Sequence, residues 1–300
     1  MSKKNGRDEI LVPIDFTEQS LIALGQSYNL AKEYNAELVL LYVIEDSHVI
    51  PSFMTNKQQT EMKKNIQKKL DNLATDIEKK KGVKVDTLIA KGKPYEKIIE
   101  VADMLGAIMI IMGHNSRKKI GVRFIGSNAL RVVRESECPV ITIKGKHHRE
   151  GCKNIVLPLD LSKETKDKVR HAIEVAKLGT YQASIRVVSI LQSTDEFLVN
   201  KLTRQLEQVK TYIQKQSVEC SAEIIKTVKG EDSLAQCILD YAHKVEGDLI
   251  IIMTQQETNF TRMFIGSTAQ EVVNNSDIPV MSIIPKIHKY MTSQQAAARH

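Results

Sequence analysis

The chain has no tryptophan, and aromatic residues make up only 5% of its 300 positions. No hydroxyl- and glycine-rich phosphate loop follows the first apolar run. Together these absences disfavour flavodoxin-like electron transfer. Cysteine is scarce too. Cys138, Cys152, Cys220 and Cys237 form no C-x-x-C pair, so reduced thiols are expected rather than a disulfide framework. His147 and His148 lie near Cys152 with no second cysteine close by, and no metal site is expected. No apolar run reaches the roughly 18 residues of a membrane span. The opening MSKKNGRDEI lacks an apolar signal region, and a cytoplasmic protein without a membrane partner is expected. A G-x-x-x-x-G-K-[ST] loop is absent, which argues against a P-loop ATPase. The lack of S-G-G-x-D-S after the first strand argues against an ATP pyrophosphatase or adenylate-forming ligase.

The net charge is +7 and the sequence pI about 9.0. The lysines between 63 and 84 interleave with Glu, Asp and Gln, as on a solvated helix face, so no specific nucleic-acid partner is expected. Hydrophobic residues at 42% suffice for two domains of the usual ~100–150 residues.

What the chain does have is a repeat. Residues 124–143, FIGSNALRVVRESECPVITI, return at 264–283 as FIGSTAQEVVNNSDIPVMSI, with eleven of twenty positions identical. ILVPIDFT at 10–17 returns as IVLPLDLS at 155–162. Offsets of 140 and 145 residues mark a duplicated domain, because solenoid units repeat every ~20–50 residues. The domains are placed at 1–146 and 153–286, joined by the polar GKHHREGC, with a polar tail at 287–300.

Within the first copy, short apolar runs alternate with helical spacing. Strands are predicted at 9–15, 36–43, 83–90, 107–112 and 140–143. Helices are predicted at 19–34, 56–81, 95–105 and 126–135. The second copy predicts strands near 154–159, 183–191, 222–228, 248–253 and 279–284. Near-continuous apolar strands alternating with helices imply a parallel sheet covered on both faces. With right-handed crossovers, each copy is an α/β doubly wound, three-layer domain.

Such sheets bind ligands beyond the carboxyl ends of their strands, where the strand order reverses. Asp15 ends the first strand after Pro13, and Tyr42 and Val43 end the second. Gly113 ends the fourth, and the next segment runs to Gly126 and Ser127 at a helix start. Glycine permits close backbone approach, and the free N–H groups of a helix start favour phosphate. Arg117, Lys118, Lys119 and Arg123 lie between and could balance phosphate charge. Asp15 could instead serve as part of a helix cap. His114 is expected to face solvent, and Cys138, opposite Ile278 in the repeat, to be packing.

This pattern resembles the universal stress protein family in its tandem form. The nucleotide-binding branch of that family carries G-x-x-G-x(9)-G-[ST]; here Gly113, Ser116, Gly126 and Ser127 match with one glycine replaced. The resemblance spans nearly all of residues 8–286. It implies two five-stranded domains of the adenine nucleotide alpha hydrolase-like type. It also implies an adenine-nucleotide site of Pro13, Asp15, Val43, Met112, Gly113, Asn115, Ser116, Gly126, Ser127 and Asn128. ATP, with or without Mg, is the expected ligand, with ADP or AMP as alternatives. Further implied are an intrachain pseudo-dimer through strands 141–145 and 281–285, homo-oligomers such as a dimer, and an unidentified protein partner.

In the second copy, Thr254 is set against Gly113 and Glu257 against Ser116, with a loop one residue shorter. Both early glycines are then missing, and a carboxylate faces the phosphate path, which is repulsive. That copy is expected to be a degenerate site. The function expected is a regulatory or sensor stress-response protein. No residue is assigned a catalytic role, since no general base stands beside a γ-phosphate. The alternatives are a structural adaptor without nucleotide and a slow ATP hydrolase.

Overall fold

The computed structural model describes residues 7–45, 55–114, 117–119, 122–124, 127–145, 151–160, 165–178, 182–228, 233–256 and 263–284. The chain divides into two compact units. One comprises Met1–Arg117 and Phe124–His148, and the other Arg149–His300 with Lys118–Arg123.

In the first unit the elements are β1 (Glu9–Pro13), α1 (Glu18–Glu33), β2 (Glu37–Ile44), α2 (Asn56–Lys81), β3 (Val85–Lys91), α3 (Pro94–Leu105) and β4 (Met109–Gly113). Next along the chain come β5 (Arg117–Lys119) and β6 (Val122–Phe124), which hold the residues 118–123 grouped with the other unit, and then, in the first unit, α4 (Ser127–Glu135) and β7 (Val140–Ile143). The main strands run β3-β2-β1-β4-β7, all parallel. Successive strand side chains point to opposite faces, yet Ile10, Leu11 and Val12 are all fully buried. Both faces of the sheet are therefore covered, as the unbroken apolar runs predict. The strand order reverses between β1 and β4, which opens a crevice at their carboxyl ends.

Local chemistry sets the helix ends. Thr17 caps α1, its hydroxyl accepting from the Ser20 N–H at 3.4 Å. A capping box of Thr55 and Gln58 opens α2, and Gly82, at φ +67°, closes it in the left-handed region that favours glycine. The buried stripe of α2 is Leu70, Ala74 and Ile77, while Lys63, Lys64, Lys68 and Lys69 are exposed.

The second unit repeats the plan: β8 (Asn154–Pro158), α5 (Thr165–Ala176), β9 (Ser184–Leu191), α6 (Glu196–Lys215), β10 (Cys220–Lys226), α7 (Leu234–Lys244) and β11 (Leu249–Met253). Then come β12 (Gln255–Gln256), β13 (Met263–Phe264), α8 (Ser267–Asn275) and β14 (Val280–Ile283). Its order β10-β9-β8-β11-β14 is again parallel.

Two pairings depart from expectation. The segment after β4 contains the two-stranded sheet β5–β6, and the segment after β11 contains the antiparallel pair β12–β13. Strands of two or three residues, one of them Arg-Lys-Lys, carry too little apolar period to be read from sequence. The linker residues 146–150 and the tail 287–300 lie outside the described residues.

Candidate functional site

At the crevice of the first unit, a cavity of about 220 Å³ is lined by residues of several different elements. Pro13, Ile14 and Asp15 come from the end of β1, Leu41 and Val43 from β2, and Met112, Gly113 and His114 from β4 and its extension. Pro94 and Ile98 of α3 and Asn128 and Ala129 of α4 line it as well. Six of the ten expected site residues thus meet in one place: Pro13, Asp15, Val43, Met112, Gly113 and Asn128. Ser127 is the first residue of α4, but its side chain lies outside the described residues. So do Asn115, Ser116 and Gly126, and the side chains of Arg117, Lys118, Lys119 and Arg123.

Asp15 holds two positions at once. One carboxylate oxygen, Oδ1, accepts from the Thr17 N–H at 3.0 Å and the Thr17 hydroxyl at 2.6 Å. It thereby orients the residue that caps α1. The carboxylate is nevertheless exposed and lines the cavity. Between the two, Phe16 adopts φ +60°, unusual for a bulky side chain. Its ring lies 5.5 Å from that of Tyr42, and the Lys69 ammonium stands 5.5 Å from its centroid.

Gly113 has a reason to be glycine that the sequence reading missed. A Cβ there would fall on the Gln19 carbonyl and within 2.9 Å of the Ser20 nitrogen. The first turn of α1 lies directly on the end of β4, so the close approach is between helix and strand. His114 corrects a second expectation: it is only 4% exposed. Its N–H donates to the Ile143 carbonyl at 3.0 Å, extending the β4–β7 ladder by one residue and drawing the side chain inward, where it lines the cavity. Glu45, Thr17 and Ser20 also line it. Of these, only Thr17 had a sequence signal, as a helix start.

Between α4 and α3, the Arg131 guanidinium stands 4.5 Å from the Tyr95 ring centroid. Lys93 pairs with Glu96 at 2.9 Å. Their mutual hydrogen bond raises the Lys93 ammonium above its ordinary pKa and lowers the Glu96 carboxyl below its own.

The universal stress protein family model matches residues 6–144 and again residues 151–283. The chain belongs to the universal stress protein family. A universal stress protein of Methanocaldococcus jannaschii is 29% identical over 146 residues, covering 47% of this chain and 86% of that protein. Universal stress protein YxiE of Bacillus subtilis is 30% identical over 147 residues, covering 46% of this chain and 99% of its own length. A crystal structure of a universal stress protein from Archaeoglobus fulgidus superposes with TM-score 0.74 at 20% identity, covering 93% of this chain and 96% of that one. That likeness speaks to the fold of both domains. Among the described residues, no helix is long and apolar enough to cross a membrane.

In the second universal stress protein domain, strand register corrects the expected alignment. Gly113 pairs with Ile143 on β7, and Met253 pairs with Ile283 on β14. The Thr254 N–H donates to the Ile283 carbonyl at 2.9 Å, as that of His114 does to Ile143. Thr254 is therefore the counterpart of His114, and Met253 that of Gly113. The segments leading to Gly126 and Gly266 are equal in length, and Gln256, not Glu257, stands against Ser116. Glu257 itself lies outside the described residues. Threonine is small like glycine and methionine is an ordinary strand-interior residue, so residue type alone favours the other register.

Met253 is buried, so the strand end that is bare backbone in the first domain carries a side chain in the second. Thr165, in the described part of α5, is the counterpart of Ser20 in α1. A second cavity, about 330 Å³, lies at the equivalent strand ends, with Pro158, Asp160, Lys168 and Met253 among its lining residues.

Proposed function

We propose that the first domain binds an adenine nucleotide, ATP foremost, and that the protein acts as a regulatory or sensor module of the stress response in the cytoplasm rather than as a fast enzyme. The observation that carries this is the cavity at the β1/β4 switch point, which gathers Asp15, Val43 and Met112 against the start of α4. A carboxylate at one end suits ribose or adenine donors. A helix start at the other suits phosphate, through its free N–H groups and dipole. Family membership supports the same assignment. Bound nucleotide would favour one conformation or assembly to the extent that it binds that state more tightly.

A structural adaptor without nucleotide is the second reading. It is favoured by one specific fact: Asp15 and Gly113 both have roles in seating α1 that need no ligand.

The experiment is to release and identify any nucleotide from purified protein and to titrate ATP, ADP and AMP calorimetrically. Binding is expected in the wild type and in Gly266→Val, and is expected to be lost in Gly126→Val. No binding at millimolar nucleotide, roughly the −4 kcal/mol level, would leave the adaptor reading.

A further inference from the structure

We propose that the first domain carries a second ligand site, beside α2, for a small uncharged aromatic molecule. A cleft of about 440 Å³ is lined there by Phe16, which follows β1, by Tyr42 of β2, and by Met62 and Ile66 of α2. Its volume lies within the ~300–1,000 Å³ typical of ligand pockets. It is separate from the first cavity. Val43 lines that cavity, and its strand neighbour Tyr42, which points to the other face of the sheet, lines the cleft.

Two observations set these aromatic residues apart from ordinary packing. Phe16 is held at φ +60°, a conformation that is costly for a bulky side chain and that gathers at functional sites. Its ring lies 5.5 Å from that of Tyr42 and is tilted by 32° to it, and both residues remain only half-buried. Nor does the fold require the pair. The repeat sets Leu161 against Phe16, and strand pairing sets Ser189 against Tyr42. Ser189 is 2% exposed, and its hydroxyl donates to the Leu159 carbonyl. The second domain thus builds the same strand ends with no aromatic ring at either position.

The wall chemistry names the ligand class. Two tilted rings accept a third edge-on or offset, and the Met62 thioether favours an aromatic neighbour over an aliphatic one. The charged side chains on the wall are one carboxylate, Glu61, and one ammonium, Lys69. An ion entering the cleft would meet a like charge and lose hydration, whereas a neutral ring does neither. A cation has a further obstacle: the Lys69 ammonium stands 5.5 Å from the Phe16 centroid, where the ring electrons already draw it. Glu61 can accept from a single N–H or O–H on the ligand, as an indole or a phenol carries.

Met62 gives a local readout. The full chain, with isotope-labelled methionine methyl groups, is titrated by NMR with indole, with p-cresol and with cyclohexanol as an aliphatic of similar size. The Met62 resonance is identified by its loss in Met62→Leu. Indole or p-cresol is expected to shift it saturably, with cyclohexanol binding more weakly. Affinity is expected to fall about threefold to tenfold in Phe16→Leu and in Tyr42→Ser, as for loss of an aromatic pair, and to be retained in Tyr42→Phe. Circular dichroism is the folding control, and Tyr42→Ser carries the test if Phe16→Leu does not fold. The proposal is overturned if neither aromatic shifts Met62 at millimolar concentration, if the Phe16 and Tyr42→Ser variants bind as the wild type does, if cyclohexanol binds as tightly, or if ATP displaces indole competitively. None of these outcomes depends on nucleotide binding in the first cavity. Gly126→Val, expected to abolish that binding, is expected to leave indole binding unchanged.

Discussion

At the residue scale, the first cavity is built from side chains whose structural and ligand roles overlap, and substitutions can separate the two. Asp15→Asn keeps an oxygen to accept from Thr17 and removes only the charge. Its melting temperature is expected to stay within about 2 °C of wild type, since a surface change is usually worth under ~0.5 kcal/mol. Its ATP affinity, measured by calorimetry, is expected to fall about tenfold if the carboxylate meets the nucleoside. Gly113→Ala tests helix–strand contact directly. The added methyl group would meet the Gln19 backbone, and overpacking of this kind costs about 1–3 kcal/mol, readable as a lower urea midpoint. Phe16 offers an internal comparison, because both Phe16→Gly and Phe16→Ala lose the Tyr42 contact. Only alanine still strains at φ +60°, so the glycine variant is expected to be the more stable by about 1 kcal/mol.

At the scale of elements, helices with chemical punctuation were legible and short charged strands were not. The predicted span 56–81 matches α2 because a capping threonine precedes it and a left-handed glycine follows it. The strands β1, β2, β4, β8 and β11 were legible because burial on both faces demands continuous apolar runs. β5–β6 and β12–β13 were not, being only two or three residues long. Nor was the burial of His114 legible, since a polar residue after a strand gives no hint that its N–H continues the ladder.

The strands also make a prediction about pH. Cys220 begins β10, and burial pushes its thiol from the ordinary 9.0 to about 11. A thiol that resists ionising when folded stabilises the fold fully below pH ~9, and this contribution is lost as pH rises toward 11. Unfolding midpoints of the wild type are therefore expected to fall from pH 9 to 11 more than those of Cys220→Ala. Cys138, also raised by burial, is expected to alkylate slowly at pH 8.

At the scale of the whole molecule, the repeat is a pair of related but unequal domains, and the inequality can be counted. Calorimetry is expected to give one adenine nucleotide per chain, and a value of two would contradict the proposal that only the first domain binds it. The difference between Gly113 and Met253 reaches further than either cavity. In the first domain a bare strand end lets the first turn of α1 lie against β4, whereas the equivalent strand end of the second domain bears methionine. The first domain therefore carries a matched helix and strand separated by some 90 residues of chain. A recombination that joined the first half of one copy to the second half of the other would set α1 against Met253 and force a collision. Duplicated segments ordinarily stay alike by exchanging sequence. Here such exchange would yield unstable chimeras, so the two copies are free to keep diverging.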